Sequence, residues 1–404
     1  MFNSMSSIKK INIYFLPLAA FFILISTAAT NFFIVLTVLS ALIICIKKNS
    51  YSELYKENFF KVCFFIYFIL IISYTYSIAD QNEVINSLKK YIKIIYIPFI
   101  YYYLKKYKNE KIVINFFIYG SSLILVLSYI KYFNFIKFQY FYEYVNFLNI
   151  SGINEGITST RTVIFQNYII HGVVLSFYSF LCLQVASRNK NYMFYLFSAL
   201  AFINVLFLND SRTAYIIIIL LALFSFYTTI TNNKIRLVFL LIFFILPFSS
   251  ITENFKNRIN LLNTNKISIE SEKYNSSLGS RYIWTKVGMH NILNDPIIGK
   301  GAGSFYNSVI IYFKKYNQSD IEYFLGNNPH SEFISISSQL GILGLLSFIL
   351  FLYYLVSSSA DIMSIATSLI VVVSALFNSV FYDNVLGLFL IIIISLFFRN
   401  KVKV

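Results

Sequence analysis

The chain has 404 residues, of which 58% are hydrophobic and only 12% charged, where a soluble protein of this size carries about 25% charged residues. With a mean hydropathy of +0.68, most of the chain must face lipid or other apolar helices. A net charge of +16 would suggest nucleic acid in a soluble protein. Here Lys and Arg recur in short segments between apolar runs, as topology signals do, and nucleic acid is excluded as a partner.

A span needs about 20 mostly apolar residues. The first run, 11–29, follows Lys9 and Lys10 and ends near Ala28 and Ala29. That pattern resembles a cleavable signal peptide, but a second run at 31–46 follows at once and favours an uncleaved span. Further runs lie at 59–78, 91–104 (short for a span), 112–131, 163–187, 192–208, 212–231, 235–251, 330–357, 361–379 and 384–398. The expectation is an all-α integral membrane protein of about twelve spans. Its parts are 1–251, with spans 1–9; 252–329, an extracytoplasmic loop; and 330–404, with spans 10–12 and a tail.

Basic residues set the orientation. Lys47, Lys48, Lys56 and Lys61 share one side with Lys105, Lys106, Lys108 and Lys111, with Arg188 and Lys190, with Lys234 and Arg236, and with the tail. With twelve spans, all of these and both termini are cytoplasmic. The opposite side receives 132–162, rich in Tyr and Phe, and the polar loop 252–329, in which a helix is expected over 280–293. A structureless loop of that length is usually functional or contains structure of its own. Cys45, Cys63 and Cys182 lie in apolar runs, against a disulfide framework or thiolate metal site. His171, His290 and His330 lack metal-ligand spacing.

On the outer side, Arg161 and His171 flank the start of the sixth span; structural roles are the plainer reading for both. Arg212 opens the eighth span after Asp210, a plausible cap. A cation in the first turn opposes the helix macrodipole. It is either a snorkelling arginine on a lipid phosphate or an anion ligand. Arg281 repeats the pattern at the start of the loop helix. The string from Gly299 to Ser304 reads as a tight, closely packed turn rather than a phosphate cradle, and Gly341 and Gly344 suit close helix packing. In Asn328-Pro329-His330, Asn328 reads as cap and Pro329 as first helical residue. This places His330 in the first turn of the tenth span, where the positive helix end keeps its ring neutral. The alternative is a histidine merely hydrogen-bonded at a helix start. Arginines suit a diphosphate leaving group, and a neutral histidine suits an attacking hydroxyl.

Ser211-Arg212-Thr213-Ala214, Arg281…Trp284, Asp295-Pro296-Ile297-Ile298-Gly299-Lys300-Gly301-Ala302-Gly303-Ser304-Phe305 and Pro329-His330-Ser331-Glu332-Phe333 before Leu340-Gly341-Ile342-Leu343-Gly344 resemble, in order and spacing over 205–350, the O-antigen ligase/polymerase superfamily. The resemblance implies a GT-C-like fold and a metal-independent glycosyltransferase needing no cofactor. It would sit in a bacterial inner membrane with its active site on the periplasmic face. The implied reaction moves glycan from undecaprenyl diphosphate to a hydroxyl of the lipid A-core, inverting the anomeric centre. Arg212 and Arg281 would bind the diphosphate, with Arg161 as an auxiliary contact. His330 would activate the acceptor or assist departure. Family members often carry Asn after this histidine; here it is Ser331. The rival within the superfamily is an O-antigen polymerase. A protein O-oligosaccharyltransferase usually has a further C-terminal outer domain, whereas here six residues follow the last run. A transporter or flippase would show ionisable residues at mid-membrane and similar halves, which this sequence does not.

Overall fold

The computed structural model describes residues 11–133, 135, 163–209, 211–229, 277–315, 326 and 328–398. The expected ninth span, most of the outer segment 132–162, Asp210, Arg161 and the basic tail lie outside the described residues. Among those described, every regular element is helical. In chain order they are α1 (Phe15–Phe22), α2 (Thr27–Lys47), α3 (Asn58–Ile72), α4 (Gln81–Tyr91), α5 (Lys93–Tyr107), α6 (Glu110–Tyr132), α7 (Tyr168–Asn189) and α8 (Tyr192–Ile203). After these come α9 (Arg212–Thr229), α10 (Ser277–Asn294), α11 (Phe305–Lys315), α12 (Glu332–Ser357), α13 (Ile362–Phe377) and α14 (Asn384–Phe397).

Five of these segments are long and apolar enough to cross a membrane: Thr27–Lys47, Asn58–Thr75, Glu110–Tyr132, Tyr168–Asn189 and Glu332–Ser357. Shorter apolar helices run over Tyr192–Leu208, Arg212–Thr228, Ile362–Phe377 and Asn384–Phe397. Helix α14 is apolar all round and almost wholly buried, as expected of a helix surrounded by others. It packs against α5 and α13, while α3 and α10 flank α12.

Side-chain caps explain several helix starts. Asn167 accepts from the amides of Ile169 and Ile170 at 3.0 Å each, and Asp383 accepts from Leu386 at 2.8 Å. Asp361 and Ser364 form a reciprocal capping box at the start of α13, satisfying amides that have no intrahelical partner. The first break differs from the one expected at 29–31. It falls at residues 23–26, because Ser26 accepts from the Ala29 amide at 3.3 Å and starts α2 there. Helix α4 was not expected at all. Its buried positions, Val84, Ser87 and Tyr91, follow helical spacing, but its remaining face is polar and gives no apolar run.

The glycine-rich segment forms a strap that straightens into an interruption of α12. Gly341 has φ +61° and breaks the helix. It does allow the close approach expected from sequence, but to the strap, since a Cβ there would stand 2.4 Å from Ile297 C. The strap supplies hydrogen bonds across this break. Lys300 N–H donates to Ser338 O at 3.1 Å, Gly301 N–H to Gln339 O at 2.8 Å, and Ile342 N–H to Pro296 O at 2.8 Å. The strap also grips the end of α3: Ser77 Oγ donates to Ala302 O at 2.8 Å, and Ser73 Oγ accepts from Ala302 N–H at 3.0 Å. Buried Gln339 of α12 ties the strap to α4 as well, since its Oε1 accepts from Gly303 N–H at 2.8 Å and from Ser87 Oγ at 3.3 Å.

Gly301 has φ +88°, and a Cβ there would lie 2.3 Å from Ser77 Cα. Gly301→Ala is therefore expected to lower the unfolding midpoint of the detergent-solubilised protein. Forced backbone and overpacking together cost roughly 2–4 kcal/mol. An unchanged midpoint would show that the strap is not locked as described.

Candidate functional site

The candidate site draws on three separate stretches of the chain. The first is the turn into α9. Asn209 is fully buried; its Oδ1 accepts from Ser211 N–H at 3.1 Å and its Nδ2 donates to Tyr168 O at 3.0 Å. Its carbonyl also accepts from the Tyr215 hydroxyl. Ser211 Oγ accepts from Ala214 N–H at 3.2 Å and caps the helix, the role expected of Asp210. The turn needs close approach of α7: a Cβ on Gly172 would come within 2.5 Å of Ala214 Cβ and 2.7 Å of Asn209 Nδ2. Arg212, the first residue of α9, is exposed beyond this staple.

The second stretch is α10, which covers the expected 280–293 and extends a little at each end. Ile283 and Val287 pack against Phe305, Val309 and Phe313 of α11. Gly288 lets α10 lie on α12, since a Cβ would stand 2.2 Å from Ile334 Cγ2. The helix thereby presents Arg281, partly buried, beside Tyr168 and Arg212, both of which act on its charge.

The third stretch carries His330 and departs from the sequence expectation. Helix α12 begins at Glu332, with extended Ser331 before it. Asn328 is not its cap: Asn328 Oδ1 accepts from His330 N–H at 2.9 Å, closing a local turn. His330 thus precedes the helix, in left-handed backbone with φ +53°. An Asn side chain bonding two residues on is a common way to hold such a turn. The imidazole lies against Trp284 of α10, ring centroids 5.0 Å apart and planes 34° apart, and Arg281 is near enough to act on it electrostatically. Arg212, Arg281 and His330, drawn from α9, α10 and the lead into α12, therefore form one cluster.

Residues 197–349 match the family described as O-antigen ligase. That stretch is similar to the O-antigen ligase family, and the match supports the superfamily suggested by the motifs. The matched stretch contains all three clustered residues and the strap. No curated protein matches the chain. Apolar helices and family together make it a membrane protein.

The electrostatics of this ligase-family cluster are lopsided toward positive charge. Burial chiefly, then the Arg281 charge, pulls the His330 pKa down to about 4, so the ring is neutral at pH 7 and able to accept a proton. The helix end invoked from sequence is not the cause. Arg281 is itself lowered, by burial first; the neighbouring Tyr168 opposes the shift and Arg212 adds to it. It remains a cation. Arg212 is therefore near enough to Arg281 to act on its charge.

His171 does not join the cluster. It is fully buried in α7 with Nε2 3.4 Å from Asn204 Oδ1, and Asn204 Nδ2 donates to Ser128 Oγ at 2.7 Å. That chain links α6 and α7 to the segment Asn204–Leu208 that follows α8. His290 lies further along α10, beside Asn294 at 3.0 Å and Lys315 at 3.3 Å. Sequence reasoning did not assign roles to Tyr168, Asn209 or Glu332. Glu332 is fully buried, and its Oε2 accepts from Phe381 N–H at 3.1 Å. This ties the start of α12 to the α13–α14 connection. Its position inside the His330 motif was the available signal.

Proposed function

We propose that this protein is an O-antigen ligase, moving glycan from undecaprenyl diphosphate to a hydroxyl of the lipid A-core. One observation carries the reading: two arginines from different helices converge beside a neutral histidine. In the reaction, the acceptor oxygen attacks the anomeric carbon and the bond from that carbon to the diphosphate oxygen breaks on the opposite face. His330 takes the acceptor's proton, and Arg212 and Arg281 hold the diphosphate as it leaves with the bonding pair. Charge then develops beside cations that the fold already holds near one another, the most effective use of fixed charges. Arg161 is an auxiliary contact. The arginines fill the role a metal has in other diphosphate-dependent transfers.

The same reading places the protein in a bacterial inner membrane with about twelve spans in a GT-C-like arrangement. Both termini are cytoplasmic and the cluster is periplasmic. The loop 252–329 contributes Arg281 to a site floored by the transmembrane regions 1–251 and 330–404.

The test is the surface glycolipid profile of the source bacterium after deletion of the gene. Core without attached glycan, with polymer retained on the lipid carrier, is the expected result. Core bearing a single repeat unit would instead make the protein a polymerase, and an unchanged profile would overturn both readings.

The pH profile is a further prediction. His330 must be unprotonated to act, and its pKa is about 4 against an ordinary 6.5. The kcat/KM profile should stay level as pH falls through about 6.5 and drop only as it nears about 4. Since the unfolded ring takes its proton first, stability should decline over that same window as pH falls. An acid limb at the ordinary histidine value would contradict the assignment.

A further inference from the structure

Trp284 lies one helical turn beyond Arg281, so both side chains leave α10 on the same face. Two neighbours lie close to its ring. His330 lies against it at 5.0 Å between centroids. Gly326 lies so close elsewhere on the ring that an added Cβ would stand 3.1 Å from Cζ2, 3.2 Å from Cε2 and 3.3 Å from Nε1.

The lead into α12 gives His330 little restraint of its own. Its backbone is held by the Asn328 bond, but the orientation of the imidazole plane depends on what lies beside it. We propose that Trp284 is a positioning residue that fixes the plane of the His330 ring and shields it from water on the α10 side. This rests on the reading of His330 as proton acceptor. A rigid aromatic wall does two things for a base: it removes wrong rotamers, and it withholds the water that would stabilise the protonated ring. The charged group facing His330 from α10 is Arg281, which also disfavours protonation. On His330's own side, the Glu332 carboxylate is bound to Phe381 N–H and lies toward the α13–α14 connection.

The experiment uses the purified full chain as wild type, Trp284→Phe and Trp284→Ala, with two readouts. The first is the imidazole titration followed by nitrogen NMR, with the His330 signal assigned from a His330→Ala sample. The second is kcat, KM and the pH profile of transfer from an undecaprenyl diphosphate glycan. Trp284→Phe keeps a flat wall and should titrate like wild type, with kcat within about threefold. Trp284→Ala should raise the His330 pKa from about 4 toward 6.5. It should lower kcat by roughly 10–100-fold, a fraction of a general base's usual worth, with donor KM nearly unchanged.

An unmoved titration in Trp284→Ala would overturn the proposal, as would equal damage in the Phe and Ala variants. A shifted titration in Trp284→Ala, with His330→Ala fully active, would leave the packing role standing and instead overturn His330 as proton acceptor.

Discussion

Replacing His330 with alanine is expected to lower transfer by roughly 10²–10⁴-fold, the usual contribution of a positioned general base, while the protein still inserts and still binds donor. The expectation rests on three features: a neutral ring, a fixed neighbour in Trp284, and an adjacent guanidinium that would receive the leaving charge. His330 has φ +53°, a left-handed backbone that asparagine tolerates better than alanine, so alanine tests the turn as well as the ring. His330→Asn separates the two effects, since asparagine tolerates that backbone but is no base at neutral pH. Both variants should be about equally inactive in single-turnover transfer assays. Substantial activity in His330→Asn would show that the turn, and not the ring, is what matters.

Arg281→Ala should be similarly damaging. Loss of one fixed charge-stabilising donor costs about 10²–10³ in kcat, and here the group is partly buried, where such interactions are stronger. Arg281→Lys should recover only part of the loss, because an ammonium cannot reproduce a bidentate grip on phosphate oxygens. The variant also carries an electrostatic signature. Removing the Arg281 charge should raise the His330 pKa above its value of about 4, but not to 6.5, because burial is the larger cause and remains. Kinetics across pH would read both effects in one variant. Arg212→Ala should act on the same step. The double variant should cost less than the sum of the singles, since both cations serve one diphosphate.

The three residues of the cluster stand out in the sequence as parts of an ordered set of short motifs. Arg212 opens α9 and His330 leads into α12, but Arg281 lies a full turn inside α10, which starts at Ser277 and not near residue 280. What the sequence concealed is mostly non-local. Asn328-Pro329 reads as a helix start, yet the Asn328 side chain turns back to the His330 amide and the helix waits until Glu332. The choice between a cap and a local turn is decided by packing around His330 and Trp284, on a different helix. Gly341 looked like a packing glycine. Its role in a helix break depends on Pro296 and Gly301 arriving from the strap to satisfy the exposed backbone groups, as interrupted helices in membranes require. Helix α4 was missed because half its surface is polar, although Tyr91, at its end, reaches Ser335 of α12 at 3.0 Å. His171 was weighed as a possible site residue from its sequence neighbours alone. The partner that makes it structural, Asn204, lies on the segment that ends α8.

The most direct measurement is reconstituted transfer in vesicles, using purified protein, undecaprenyl diphosphate-linked glycan and lipid A-core in buffer containing EDTA. Wild-type protein is predicted to attach glycan to the core, and Arg281→Ala, inserted at the same level, to do so at least about 100-fold more slowly. Equal rates from the two proteins, or no transfer by wild type, would contradict the assignment of the Arg212–Arg281–His330 cluster as the transferase site.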